Sequence, residues 1–151
     1  MLPTTVRVAV PADQKSLEAI QWRASLNNPG DRDALLANPD AIELPLQQIE
    51  AGRVFVAEVS GLIKGFAALL PRQDGNSELD ALFVEPDFWR QGIGRVLVEH
   101  CCLAAKILGA SAIHVVGNPH AEGFYGACGF KTLGTEQTRF GVGLLMKRDL
   151  R

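Results

Sequence analysis

The chain of 151 residues has few of the features that cross-link, coordinate or anchor a protein. It has three cysteines, Cys101, Cys102 and Cys128, and no CxxC pair. This arrangement predicts no metal site and no disulfide framework, and it favours reduced, mostly buried thiols in a cytoplasmic protein. No apolar run approaches the roughly 20 residues that a membrane span needs. The N-terminal MLPTTVRVAV also lacks the regions of a signal peptide, so we expect no membrane partner.

An excess of charge of one sign is also missing. The net charge is −2, from 15 basic and 17 acidic residues, and no run of like charges occurs. A general binder of nucleic acid should be more basic, so we expect no nucleic-acid partner. The length and the 47% content of hydrophobic residues fit one globular domain over residues 1–151.

The apolar pattern predicts a mixed α/β (α+β) fold. Val6, Val8 and Val10 alternate with polar or small residues, which predicts a first strand with one buried face. Helical segments follow, and then the runs RVFVAEV, IKGFAALL and ELDALFV, separated by turn sequences, predict an antiparallel meander. The runs SAIHVVG and TRFGVGLLMKRDL predict two later strands.

A helix with one buried face is predicted between the meander and these last strands. Its apolar or small residues recur at spacings of three and four, and Gly109 closes the segment. The predicted buried face consists of Ile93, Val96, Leu97, His100, Cys101, Ala104, Ala105 and Leu108.

The connection ahead of this helix, FWRQGIGR, predicts an anion site. Backbone N–H groups at a helix start have no intrahelical acceptor, and the helix dipole adds partial positive charge there. Gly92 and Gly94 allow a phosphate to approach, while Arg90 and Arg95 supply cations. The alternative is a connection whose glycines serve only turn geometry. The loop has neither the GxxxxGK[ST] of a P-loop nor the third glycine of a dinucleotide fingerprint.

A second motif, NPHAEGFYGACGF, follows some thirty residues later, with Asn118 and Tyr125 seven positions apart. Together the two motifs resemble the GNAT N-acetyltransferase superfamily, and the resemblance is sharpest from about Leu79 to Phe130. It implies a single-domain GNAT-like mixed sheet with an antiparallel meander, splayed central strands and flanking helices.

The resemblance implies that acetyl-CoA is the cosubstrate. The main chain of Leu82, Phe83 and Val84 would pair with the pantetheine amides, and Asn118 would touch the pantetheine arm. The family usually has Gln or Arg three residues before the first glycine, where this chain has Trp89. Because main-chain amides bind the phosphates, we expect binding to be retained. The residues implied to hold the diphosphate are Arg90, Gln91, Gly92, Ile93, Gly94 and Arg95.

The resemblance also implies an acid and leaves the base open. Tyr125, the only tyrosine, stands where the family keeps the general acid that protonates the departing thiol; the alternative is a packing role beside Phe124. Glu78 and Asp80 stand at alternate strand positions, share a face and could polarise the amine through a water. Solvent is the other candidate base, and a lone histidine such as His120 is more often packed or solvent-facing.

The predicted function is an acetyl-CoA-dependent N-acetyltransferase in which a primary amine attacks directly in a ternary complex. The acceptor could be a small amine, an amino acid or a protein N-terminus. The alternative is a non-catalytic acyl-CoA-binding module or sensor. The last strand could pair across a homodimer or complete the sheet of the monomer.

Overall fold

The computed structural model describes residues 3–28, 31–139 and 141–150. Within these residues the chain forms five α-helices and three short 3-10 helices around one seven-stranded sheet with the order β1-β2-β3-β4-β5-β7-β6. The strands are β1 (Thr4–Val8), β2 (Val54–Val59), β3 (Leu62–Pro71), β4 (Ser77–Val84), β5 (Ala112–Gly117), β6 (Lys131–Thr138) and β7 (Gly141–Asp149). The helices are α1 (Gln14–Asn27), α2 (Asp31–Ala37), α3 (Leu46–Glu50), α4 (Ile93–Ile107) and α5 (Glu122–Ala127).

The centre of the sheet opens between β4 and β5. Strands β2 to β4 form the predicted antiparallel meander, and β1 pairs antiparallel with β2 at its outer edge. Strands β4 and β5 are parallel and pair only at Ser77 with Ile113 and at Glu78 with His114. Beyond these pairs the two strands separate, which confirms the mixed fold with splayed central strands.

Helices cover the two faces of the sheet. Helix α1 packs Leu17 and Ile20 against Phe66 on one face, and α4 packs against the other. Each fully buried side chain of this size stabilises the fold by about 1.5–3 kcal/mol. The buried residues of α4 are Ile93, Leu97, Val98, Cys101, Cys102 and Ala105.

The predicted buried face of α4 is therefore correct only in part. Val96 and Leu108 are 39% and 63% exposed, whereas Val98 and Cys102 are buried. Leu108 follows the last helical residue, and Val96 lies outside the stripe that meets the sheet. Apolar spacing alone did not distinguish the stripe from its flanks. The three cysteines are free and buried, as predicted.

The predicted buried face of the first strand is wrong. Val8 and Val10 are 48% and 50% exposed, and only Val6 packs against the core. Strand β1 lies at the edge of the sheet and ends at Val8, so one flank is open to solvent. On the same strand, the guanidinium group of Arg7 forms ion pairs with Asp13 and Glu58.

Strand β6 was not predicted, because its sequence KTLGTEQT is polar and its side chains are mostly exposed. It pairs only with β7, which lies between β5 and β6. The final strand therefore completes the sheet of the monomer. No helix in the described ranges is long and apolar enough to cross a membrane.

Candidate active site

A cavity of about 710 Å³ lies where β4 and β5 separate. Its walls come from the end of β4, the connection that leads into α4, the end of β5 and helix α5. Most of the predicted site residues line it: Leu82, Phe83, Val84, Arg90, Gly92, Ile93, Gly94, Arg95, Asn118 and Tyr125. The fold thus brings both sequence motifs to one opening in the sheet.

The start of α4 presents unpaired N–H groups to this cavity. The first helical hydrogen bond runs from Val96 N to Gly92 O, at 3.1 Å. The N–H groups of Ile93, Gly94 and Arg95 precede it and have no backbone acceptor in the part of the chain that the structure describes. Three adjacent donors at the positive end of a 15-residue helix are suited to an anion.

Backbone conformation keeps this helix start open. Gly92 is the N-cap residue and has a φ of +86°, a left-handed conformation that glycine adopts without strain. A Cβ at Gly92 would have no neighbour within 4 Å, so the space beside it is empty. A Cβ at Gly94 would lie 3.1 Å from Phe124 Cζ, so α5 packs closely against the helix start there.

Two arginines flank the donors. Arg90 and Arg95 are exposed, line the cavity and have no ion-pair partner among the described residues. Arg90 has a φ of +65°, which is uncommon for a residue with a side chain. Both guanidinium groups are available to a phosphate at the helix start.

Trp89 ties this connection to the sheet. Its Nε1–H donates to the carbonyl oxygen of Val84, the last residue of β4, at 2.8 Å. The indole is half-buried and also lines the cavity. A carbonyl oxygen has a second lone pair, so Val84 keeps one acceptor site. Nothing in the local sequence pattern predicts this bond.

Tyr125 lies between two phenylalanines at the cavity wall. It is 8% exposed, and its ring makes edge contacts with Phe124 at 5.2 Å and with Phe130 at 5.5 Å between centroids. Burial raises the pKa of Tyr125 above its ordinary value, with Cys128 and Cys101 as smaller causes. A neutral phenol at the cavity wall can donate a proton.

The side chain of Asn118 is already engaged within the protein. Its Oδ1 accepts a hydrogen bond from His120 N at 2.9 Å, and its Nδ2 donates to Asp31 Oδ1 at 2.6 Å. One N–H of the amide therefore remains for a ligand.

Glu78, Asp80 and Gln91 are not among the residues that line the cavity. Glu78 accepts a hydrogen bond from Arg72 Nη1 at 3.1 Å. Asp80 is exposed and is the extra residue of a bulge, because Ala68 pairs with Ala81 while Leu69 pairs with Leu79. The structure does not bring these two carboxylates together with Tyr125, and no carboxylate occurs among the described residues of the cavity wall.

Comparison with known proteins identifies the family. The sequence matches the family described as "Acetyltransferase (GNAT) domain" over residues 50–132. The chain belongs to the GNAT family. Peptidyl-lysine N-acetyltransferase YjaB of Salmonella typhimurium is 42% identical over 59 residues, which is 39% of this chain. That match spans only 39% of the length of the curated relative.

Solved structures share the fold of this GNAT protein. A GCN5-related N-acetyltransferase from Rhodopseudomonas palustris has a TM-score of 0.79 and 18% identity, covering 99% of this chain and 98% of that one. PaiA N-acetyltransferase from Thermoplasma acidophilum, in complex with coenzyme A, has a TM-score of 0.76 and 18% identity, covering 98% and 99%.

The GNAT match covers the loop and α5, but the cavity wall extends beyond it. Ala24 on α1 and Asn28 after it also line the cavity and precede the matched residues. His120 and Phe124, which sequence reasoning did not assign to the site, line it as well. Their closeness in sequence to Asn118 and Tyr125 was the available signal.

Proposed function

We propose that this GNAT protein binds acetyl-CoA in the large cavity and transfers the acetyl group to a primary amine. The observation that carries the proposal is the row of unpaired N–H groups from Ile93 to Arg95 at the cavity wall. These donors and the two unpaired arginines suit a diphosphate. Gln91, which does not line the cavity, contributes through the backbone conformation of the loop.

The separated strand β4 suits the rest of the coenzyme. After Glu78, β4 is no longer paired with β5, its parallel neighbour. The main chain of Leu82 and Val84 faces that side and is available to pair with the amides of a pantetheine arm, whereas Phe83 between them pairs with Phe66 of β3. Asn118, at the end of β5, can add the one N–H that its other contacts leave.

The reaction is a direct transfer. The amine nitrogen forms a bond to the thioester carbonyl carbon, the C–S bond breaks, and the nitrogen loses a proton. The departing thiolate takes a proton from the hydroxyl of Tyr125, which is neutral at pH 7 because the ordinary pKa of a phenol is near 10 and burial raises the pKa of Tyr125 further.

The proton that the amine loses goes to water, and the phenolate of Tyr125 recovers a proton from solvent before the next turnover. Glu78 and Asp80 remain proposed only as carboxylates that act through a water chain, since neither lines the cavity. The three free, buried thiols support a cytoplasmic location.

A non-catalytic acyl-CoA-binding module is the second candidate. It is favoured by one observation, which is the lack of a carboxylate among the described residues of the cavity wall. Such a module would bind coenzyme A without releasing thiol from acetyl-CoA.

A turnover assay separates the two candidates. Purified protein is mixed with acetyl-CoA and a panel of acceptors that includes alkylamines, amino acids and a lysine-containing peptide, and released thiol is measured. We expect amine-dependent thiol release that exceeds slow hydrolysis. Coenzyme binding without release for every acceptor would instead support the binding module.

A further inference from the structure

A second, smaller cavity adjoins the large one. It has a volume of about 180 Å³ and is lined by residues of α1, α2 and the segment after α2, and by Phe83 of β4. Phe83 also lines the large cavity, so the two spaces share a wall. Leu35, Ile42 and Phe83 make much of the small cavity apolar. Asp31 is the only ionisable residue among the described residues that line it.

Asp31 is a partly buried carboxylate that forms no ion pair within 4 Å with the described residues, although the charge of His120 acts on it from farther away. No Lys, Arg or His of the described residues forms an ion pair with it. By contrast, Asp13 and Glu58 pair with Arg7, Glu78 pairs with Arg72, and Glu85 pairs with Arg23. A carboxylate without an ion-pair partner in a partly apolar cavity is stabilised by an opposite charge, and a cationic ligand can supply that charge.

A hydrogen bond connects this carboxylate with the large cavity. Asn118 Nδ2 donates to Asp31 Oδ1 at 2.6 Å, and Asn118 lines the large cavity while Asp31 lines the small one. The bond orients the carboxylate, which Asn28 also approaches with its side chain, and the two oxygens retain further lone pairs that can accept from a ligand. A group held by the Asp31 carboxylate is thus close to Asn118, which lines the large cavity.

The electrostatics of Asp31 agree with this geometry. Burial raises the pKa of Asp31, while the side chains of Asn118 and Asn28 and the charge of His120 partly oppose the change. A bound cation would offset the free-energy cost of removing the charged carboxylate from water.

We propose that Asp31 binds the ammonium group of the acceptor and that the small cavity selects primary alkylamines without a neighbouring carboxylate. The inference rests on the proposed function, because it names the acceptor of the same site. The cavity has about the volume that six water molecules occupy in liquid water. This volume suits a short, unbranched alkyl chain or the end of a lysine side chain. An α-amino acid would place its carboxylate near Asp31, where no described residue of the wall supplies a cation.

The test compares Asp31→Asn with Asp33→Asn. Asp33 lies on the same helix and is exposed, so its substitution controls for the loss of one negative charge on α2. With acetyl-CoA and butylamine, we expect Asp31→Asn to raise the KM for butylamine roughly 10- to 100-fold, since a charge-assisted hydrogen bond is lost. The Kd for coenzyme A should stay within about twofold, and Asp33→Asn should match the wild type.

A second variant tests the cavity without touching Asp31. Ala34→Leu fills the small cavity, because Ala34 lines it, and should also raise the KM for butylamine. Glycine should be a poor acceptor for the wild type. An unchanged butylamine KM in both Asp31→Asn and Ala34→Leu, or equal use of glycine and butylamine, would overturn the inference.

Direct binding keeps this test separate from that of the proposed function. Butylammonium is titrated into the protein without acetyl-CoA, and NMR follows the methyl signals of Ala34 and Leu35. Saturable shifts in the wild type that Asp31→Asn abolishes would support the inference even if no turnover occurred. Shifts that are absent in the wild type would contradict it, whereas a lack of coenzyme binding would contradict only the proposed function.

Discussion

At the scale of single residues, the ring and the hydroxyl of Tyr125 have different roles. Its ring packs against Phe124 and Phe130, which a phenylalanine at this position could do equally well. Its hydroxyl has no hydrogen-bond partner that the described residues supply, and its burial raises the pKa. The hydroxyl therefore adds little to stability and is available for chemistry.

Replacing Tyr125 with Phe should lower kcat by roughly 100-fold, the lower end of what a positioned acid contributes. The Kd for coenzyme A and the thermal midpoint should stay nearly unchanged, because the ring contacts are retained. Steady-state kinetics, calorimetry and thermal unfolding on one preparation test these three expectations. Full turnover by the variant would remove the acid role.

At the scale of elements, the start of α4 combines an open N-cap with a closely packed second glycine. Gly92 faces empty space, whereas a Cβ on Gly94 would press on Phe124. The position of α5 is therefore coupled to the helix start, and both elements line the cavity. A change at Gly94 should affect ligand binding through this contact.

Gly94→Ala should weaken binding of coenzyme A about tenfold or more, the equivalent of one charge-assisted hydrogen bond. Gly123→Ala on α5 is the matched control, because a Cβ there has no neighbour within 4 Å. It should leave binding unchanged and keep or raise stability, since alanine is favoured in helices. Calorimetry with both variants is the measurement, and equal Kd values for the two would contradict the account of the loop.

The elements also indicate what sequence can and cannot predict here. Helix α4 and its loop were predictable because their signals are local, namely a helical period and two glycines at the start of the helix. Strand β6 was not, because it is polar and exposed and forms only by pairing with β7. The predicted buried faces of β1 and α4 were wrong for several residues. Exposure depends on where an element lies against the sheet and not on apolar character alone.

At the scale of the whole molecule, contacts between distant segments complete the site. Asp31 and Asn118 are 87 residues apart and meet through one hydrogen bond. No local pattern predicts such a contact, and it connects the helices before the meander with the strand after α4. The acceptor side of the site is therefore visible only in the folded chain.

The free energy of unfolding should fall at acidic pH because the Asp13 carboxylate stabilises the folded state. The hydrogen bonds from Arg7 and from Val10 N lower the pKa of Asp13. This stabilisation is fully present above the unfolded pKa of about 3.9 and is lost as the pH falls through the lower folded pKa. Asp13→Asn should cost about 1 kcal/mol of unfolding free energy at pH 7, after allowance for the partly exposed Arg7.

Urea unfolding at about pH 7 and pH 3 measures this dependence. The difference between the wild type and Asp13→Asn should shrink at the lower pH, because at a pH below the ordinary pKa of about 3.9 the carboxyl of the unfolded chain is protonated and unfolding takes up a proton. Asp40→Asn removes an exposed carboxylate and is the control at both values. A difference that is the same at both pH values would contradict the assigned role of Asp13.

The most direct test of the account is a calorimetric comparison of coenzyme A, dephospho-coenzyme A and pantetheine as ligands of the wild-type protein. If the N–H groups of Ile93, Gly94 and Arg95 bind a diphosphate, the two ligands that contain it should bind, and pantetheine should bind at least tenfold more weakly. No detectable binding of coenzyme A, or equal binding of pantetheine, would contradict the account.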